Sequence, residues 1–287
     1  MGLLLVAVFV LARWYKKRKA AKARALAPQK EHPVIPPADL GNGTPIFHGV
    51  RVVEMATVIA GPSVGMMMAE MGAEVFKVEE PTGDYWRRFL LEYEKGRTHG
   101  SAFECMNLNK SSCVLDLKTS AGRAELKKLL AGADVLICNV RSQGLIPLGL
   151  DYESLHHEFP HLVYAHLTAW GRLPSEHPDN HLPGYDLGAF WAATGMAALA
   201  NVEGMHHAYS VGFGDTSTGA NMLAGIANAL SRRLTTGRGC LVDAALVRAG
   251  LFSVGHYLGE AAAKLDQERK TAQQNNNNNN SNSSSSS

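Results

Sequence analysis

The sequence has few cysteines: Cys105, Cys113, Cys138 and Cys240 are the only four, and no two stand at CxxC spacing. That excludes a zinc ribbon and gives no disulfide framework, so reduced thiols are expected. Neither GxGxxG nor GxxxxGK[ST] occurs, which excludes the usual dinucleotide and phosphate-loop readings. Beyond residue 30 no basic patch points to nucleic acid, and none is expected as a partner. The histidine pairs His156-His157 and His206-His207 are sequence neighbours. Adjacent side chains diverge on a helix or strand, so no metal site is expected from them.

Acidic residues are missing from residues 1–30, which hold eight Lys or Arg. The remainder is mildly acidic, against a net charge of +2 for the whole chain. A long apolar run is missing too. Gly2–Ala12 gives eleven apolar or small residues, which as a helix reach roughly 17 Å, short of the ~30 Å hydrocarbon core. Residues 1–30 are therefore expected to be a targeting or membrane-anchor segment. The readings are a mitochondrial presequence or, as the alternative, a short anchor in which residues 1–24 touch the membrane. Residues 31–45 read as a Pro/Gly-containing linker. At the other end, poly-Asn and poly-Ser cannot bury apolar area, so 263–287 is expected to be a disordered tail.

What is present, over 46–262, is alternation. "VRVVEMA" (50–56) and "AEVFKVE" (73–79) read as strands flanking a helix that begins near Pro62 and stops at Gly72. The methionines at 66–68 are expected to pack in the core. Strands are expected at 111–117, 134–140 and 162–170, and helices at 120–133, 151–159 and 187–199. An Ala-rich helix over 216–239 leads to a last strand and a further helix. The fold class is α/β, a Rossmann-like open parallel sheet with helices on both faces.

Six segments carry a family resemblance, in order: "VIAGPSVGMMMAEMGAEVFKVEEPTGDYWR" (58–87), "NLNKSSCVLDLK" (107–118), "AGADVLICNVRSQGLIPLGL" (131–150), "PGYD" (183–186), "VGFGDTSTGANMLAGIANAL" (211–230) and "TGRGCLVDAAL" (236–246). Together they resemble the class III CoA-transferases, the family of formyl-CoA and carnitine CoA-transferases that also holds alpha-methylacyl-CoA racemase. The resemblance implies the large domain of such an enzyme. It also implies a homodimer for full-length members, whose second, small domain and return segment are expected to be missing here. Without them, apolar surface on the sheet and last helix is expected to be exposed.

By resemblance, coenzyme A enters as a thioester substrate, with no prosthetic group. Ala60, Gly61 and Pro62 would lie near CoA, Leu115 and Lys118 beside its adenine and phosphate portion, and Arg141 near its phosphates. Asp84 and Arg87 read either as a surface turn or as shaping that pocket. Glu80 and Pro147 stand where some relatives carry basic residues.

Asp186 follows a Pro-Gly turn and precedes an apolar helix, which by position is an N-cap. A carboxylate there is expected to stay ionised. The resemblance makes Asp186 the nucleophile. It would pass the acyl group of an acyl-CoA to an aspartyl anhydride and CoA to a second carboxylic acid. The racemases carry histidine immediately before this aspartate, where this chain has Tyr185, a poor base near neutral pH. Asp215 supplies only half of a two-sided proton exchange, so transfer is preferred to α-proton exchange. A non-catalytic remnant of the fold is the third reading.

Overall fold

The chain is described from a computed structural model covering residues 43–89, 91–172, 182–200 and 211–283. In chain order its elements are β1 (Arg51–Met55), α1 (Ala60–Glu70), β2 (Glu74–Glu79), α2 (Ser101–Asn107), β3 (Ser111–Val114), α3 (Ser120–Ala131), β4 (Val135–Cys138), α4 (Ser142–Leu145), α5 (Tyr152–Glu158) and β5 (Val163–Thr168). A π-helical turn, Asp186–Ala192, follows, then α6 (Met196–Ala200), α7 (Phe213–Thr236), β6 (Leu241–Ala245), α8 (Leu246–Ser253) and α9 (Gly255–Ser283).

The six strands form one sheet in the order β3-β2-β1-β4-β5-β6. Every neighbouring pair is parallel. The chain therefore winds outward twice from the centre, and the winding direction reverses between β1 and β4. Strand β4 is buried along its whole length, as its unbroken apolar run VLIC requires in a sheet covered on both faces.

Two cores follow from the period-2 alternation of strand side chains. Val52, Val135, Ile137, Val163 and Ala165 point to one face, where α1, α7, α8 and the π-turn pack. Val53, Leu136, Cys138 and Tyr164 point to the other, under α3 and α5. Each fully buried leucine or valine here contributes about 1.5–3 kcal/mol. Met68 is fully buried and Met66 and Met67 partly so, which fits the packing expected of the methionine run.

Not every buried position on the first face is apolar. Glu54 of β1 stands directly opposite Lys77 of β2 across the parallel ladder. Their side chains meet at 3.0 Å and are buried. Gly65 of α1 leaves the space that Glu54 occupies, since a Cβ there would collide with its carboxylate. Lys110, just before β3, reaches the other Glu54 oxygen at 2.7 Å.

Most strands lie within one or two residues of expectation, although β3 ends at Val114 rather than 117. The 3₁₀ turns at Tyr85–Arg88 and Leu91–Tyr93, and helix α2, fall in a stretch where no element was expected. Helix α7 starts at Phe213, three residues early, and ends at left-handed Gly237 as expected. The tail differs from its expected disorder, because Gly255–Ser283 continues as one helix. Its described side chains, through residue 275, are exposed. Backbone i→i−4 hydrogen bonding needs no packing partner, so a helix there satisfies its own amides without burying apolar area. The expected segment 1–30 and most of the linker lie outside the described residues. Among the described residues no helix is long and apolar enough to cross a membrane.

Candidate active site

A cavity of about 380 Å³ opens at the carboxyl ends of β1, β4 and β5. Its walls are residues 57–60 after β1, 139–142 after β4, 167–172 after β5, and 182–185, with Asp215 and Leu246. The cavity thus includes the switch between β1 and β4. Two chains leaving neighbouring strands in opposite directions open a crevice there, the usual ligand position in this architecture.

The floor is the β1–α1 turn. Val58 has φ 69°, a left-handed conformation that a β-branched residue rarely adopts. Such strain costs on the order of 1–3 kcal/mol and persists only where surrounding structure enforces it. The enforcement is visible on both sides. Thr57 N donates to Asn139 Oδ1 at 3.0 Å, and Asn139 Nδ2 donates to Thr57 O at 2.9 Å. Val58 N donates to Asp84 Oδ1 at 3.2 Å. Helix α1 then begins at Ala60 with no side-chain cap and no acidic residue in its first turn. The amides at this start have no partner within the helix, which suits an anion.

Asp186 is the first residue of the π-turn, not its N-cap, which is Tyr185. Its carboxylate serves another helix: Gly212 N, at the N-cap of α7, donates to Asp186 Oδ2 at 2.9 Å. Gly214 allows this approach, because a Cβ on it would overlap Asp186 Oδ1 and the Phe190 side chain. Asp186 is 5% exposed. Burial pushes its pKa up, and the amides of Gly212 and Gly214, the Trp191 indole and the Asp215 amide hold that shift back. Burial therefore opposes the ionised form that was expected, while these donors favour it. The α7 amides favour the anion, as expected of a helix start, but desolvation outweighs them.

Asp215 lies in the first turn of α7 and lines the cavity. Burial, then the charge of Asp186, lifts its pKa to about 7. The two carboxylates behave as a coupled pair. Burial and the Asp186 charge both favour the protonated form of Asp215.

A stability prediction follows from the sign of that shift. An aspartate raised from 3.8 to about 7 binds its proton more tightly folded than unfolded. Its penalty is absent below pH 4, grows between pH 4 and 7, and is complete above 7. Asp215→Asn is therefore expected to change unfolding free energy little at pH 4. At pH 8 it should raise it by about 2 kcal/mol, discounted for partial exposure. Urea unfolding at the two pH values checks this, and an equal effect at both would refute the assignment.

The structure brings Ala60, Arg141, Tyr185 and Asp215 together around the cavity. Gly61 and Pro62 are buried in the first turn of α1, beside it. Asp186 is not among the residues that line the cavity, whereas its sequence neighbour Tyr185 lines it and is 74% exposed. Leu115 and Lys118 lie at the far edge. Leu115 packs against the second core, and Lys118 is exposed beside Asp116. Asp84 is buried, and Arg87 grips Glu79 through two hydrogen bonds of 2.7 and 2.6 Å. Sequence reasoning did not single out Asn139, Trp170 or Arg172, three cavity residues, although Asn139 falls within the 131–150 segment.

Comparison with known proteins bears on this geometry. The family model described as CoA-transferase family III matches residues 47–285. A cinnamoyl-CoA:phenyllactate CoA-transferase of Clostridium sporogenes is 37% identical over 228 residues, covering 78% of this chain and 54% of that protein. A succinate–glutarate CoA-transferase of Agrobacterium fabrum is 36% identical over 214 residues, covering 73% and 53%. The crystal structure of a CAIB/BAIF family protein from Brucella suis superposes with a TM-score of 0.71 at 32% identity, covering 77% of this chain and 58% of that one. The chain spans about half the length of the relatives it matches.

Proposed function

Because the chain belongs to CoA-transferase family III, we propose that it moves coenzyme A between an acyl-CoA thioester and a carboxylic acid through an aspartyl intermediate at Asp186. The observation that carries this reading is the Asp186 carboxylate, buried against the start of α7, next in sequence to the cavity residue Tyr185 and electrostatically coupled to the cavity residue Asp215. Ionised Asp186 attacks the thioester carbonyl. The C–S bond breaks, leaving an acyl-aspartyl anhydride and CoA thiolate. The thiolate then attacks the aspartyl carbonyl and expels the donor acid, giving an aspartyl-CoA thioester. The acceptor carboxylate attacks that thioester, and the released thiolate takes its acyl group from the new anhydride, restoring Asp186.

No net proton is consumed, so a neutral Asp215 beside a charged Asp186 suits the cycle. The open amides at the start of α1 and the Arg141 side chain suit the anionic end of CoA. Within the cavity, Tyr185 and Trp170 form part of the wall where the acyl group would lie.

The test uses the whole 287-residue chain with cinnamoyl-CoA and labelled phenyllactate, and with succinyl-CoA and labelled glutarate. Label is expected to appear in a thioester in at least one pair, and failure in both with a folded protein would count against transfer. One observation favours a second reading, α-proton exchange: Asp215, with a pKa of about 7, faces the cavity. Running the same mixtures in D₂O separates the two, since only exchange places deuterium at the α-carbon.

A further inference from the structure

The Val58 turn is gripped at both ends by one buried lysine. Lys77 Nζ donates to Ala56 O at 2.6 Å, the carbonyl two residues before Val58. The same ammonium meets Asp84 Oδ2 at 3.0 Å. The other oxygen of Asp84 accepts Val58 N and, at 2.9 Å, Trp86 N. Asp84 is fixed from behind as well, because its own amide donates to Glu79 Oε2 at 3.0 Å. On the far side Glu54 holds Lys77 and is itself held by Lys110, which also donates to Pro62 O at 2.8 Å in α1.

Two acids and two lysines with almost no exposure thus surround the strained turn. Burying such a set is more costly than an apolar core of the same shape, so stability alone does not explain it. Asp84 does not line the cavity, whereas Val58 does. Any effect of Asp84 on a ligand must pass through the turn.

We propose that Asp84 is a positioning residue for coenzyme A: tied to Lys77, it holds Val58 left-handed so that the start of α1 faces the cavity. This rests on the CoA-transferase reading above. It implies a specific dependence. Glycine takes the left-handed conformation without strain, so with glycine in place of Val58 the turn no longer needs Asp84.

The test is a double-mutant cycle read as the dissociation constant for coenzyme A by titration calorimetry. The four proteins are wild type, Asp84→Asn, Val58→Gly and the double variant, each first checked for cooperative urea unfolding. Asp84→Asn keeps the side-chain shape and removes the charge that ties it to Lys77. It is expected to weaken binding about tenfold in the wild-type background and less than about threefold in the Val58→Gly background. Equal losses in both backgrounds, or none in the first, would overturn the proposal, since a merely structural role gives no dependence on the residue at this turn. A folded wild type that binds no coenzyme A would overturn the transferase reading instead. Should Asp84→Asn fail to fold, Asn139→Ala frees the other side of the turn at a half-buried position. The same dependence on Val58→Gly is then required.

Discussion

Asp186→Asn is expected to leave the chain folded and to lower CoA transfer by about 10³-fold or more, the scale seen when a covalent nucleophile is removed. The asparagine oxygen can still accept from Gly212 N, so the cap on α7 survives. A neutral amide is easier to bury than the carboxylate it replaces, so stability should stay level or rise. The change also has a signature at a second residue. Part of the upward shift at Asp215 comes from the charge of Asp186, so Asp215 should titrate lower in the variant. Exchange of label between thioester and carboxylate gives the rate, and hydroxylamine during turnover should trap a hydroxamate at Asp186 in wild type only. Retained transfer in Asp186→Asn, with loss in Asp215→Asn, would remove the nucleophile assignment.

Much of the frame that carries Asp186 was legible in the sequence, because it rests on local signals. Strand β4 shows as an apolar run, α3 as a 3.6-residue stripe with its stop at Gly132, and the end of α7 as Gly237. The site was less legible because its contacts are long-range. Asp186 looked like a cap for the helix that follows it, yet it caps α7, whose N-cap Gly212 lies 26 residues further on. Nothing within those 26 residues announces the pairing. The early start of α7 has the same origin: its N-cap is left-handed Gly212, and the capping oxygen comes from another element. Glu54 and Lys77 show the effect in the sheet. Each reads as an ordinary polar residue in a β-branched run. Only the register of β1 against β2 shows that they face each other in the core. The tail failed for a different reason. Composition indicates what cannot be buried, whereas a helix with every described side chain exposed satisfies its backbone without burial.

Gly214→Ala is expected to cost about 2–3 kcal/mol of stability and to lower transfer about 10²-fold. On propensity alone the sign would be opposite, since alanine in a helix is favoured over glycine by up to about 1 kcal/mol. The reversal comes from contact. Position 214 lies one residue inside α7, and a Cβ there falls on Asp186 Oδ1 and on two Phe190 carbons. Phe190 is fully buried, so it cannot swing away without opening the core around Ala189 and Met222. Asp186 is therefore the group that gives way, and moving it breaks its hydrogen bond from Gly212 N. A displacement of about 1 Å misaligns the nucleophile with the thioester and leaves a buried carboxylate short of a donor. Gly188→Ala is the control, because it lies in the same π-turn and a Cβ there meets nothing within 4 Å. Urea unfolding and the rate of thioester exchange, measured on both variants, decide the matter. A Gly214→Ala protein as stable and as active as Gly188→Ala would mean that Asp186 is not packed against the start of α7.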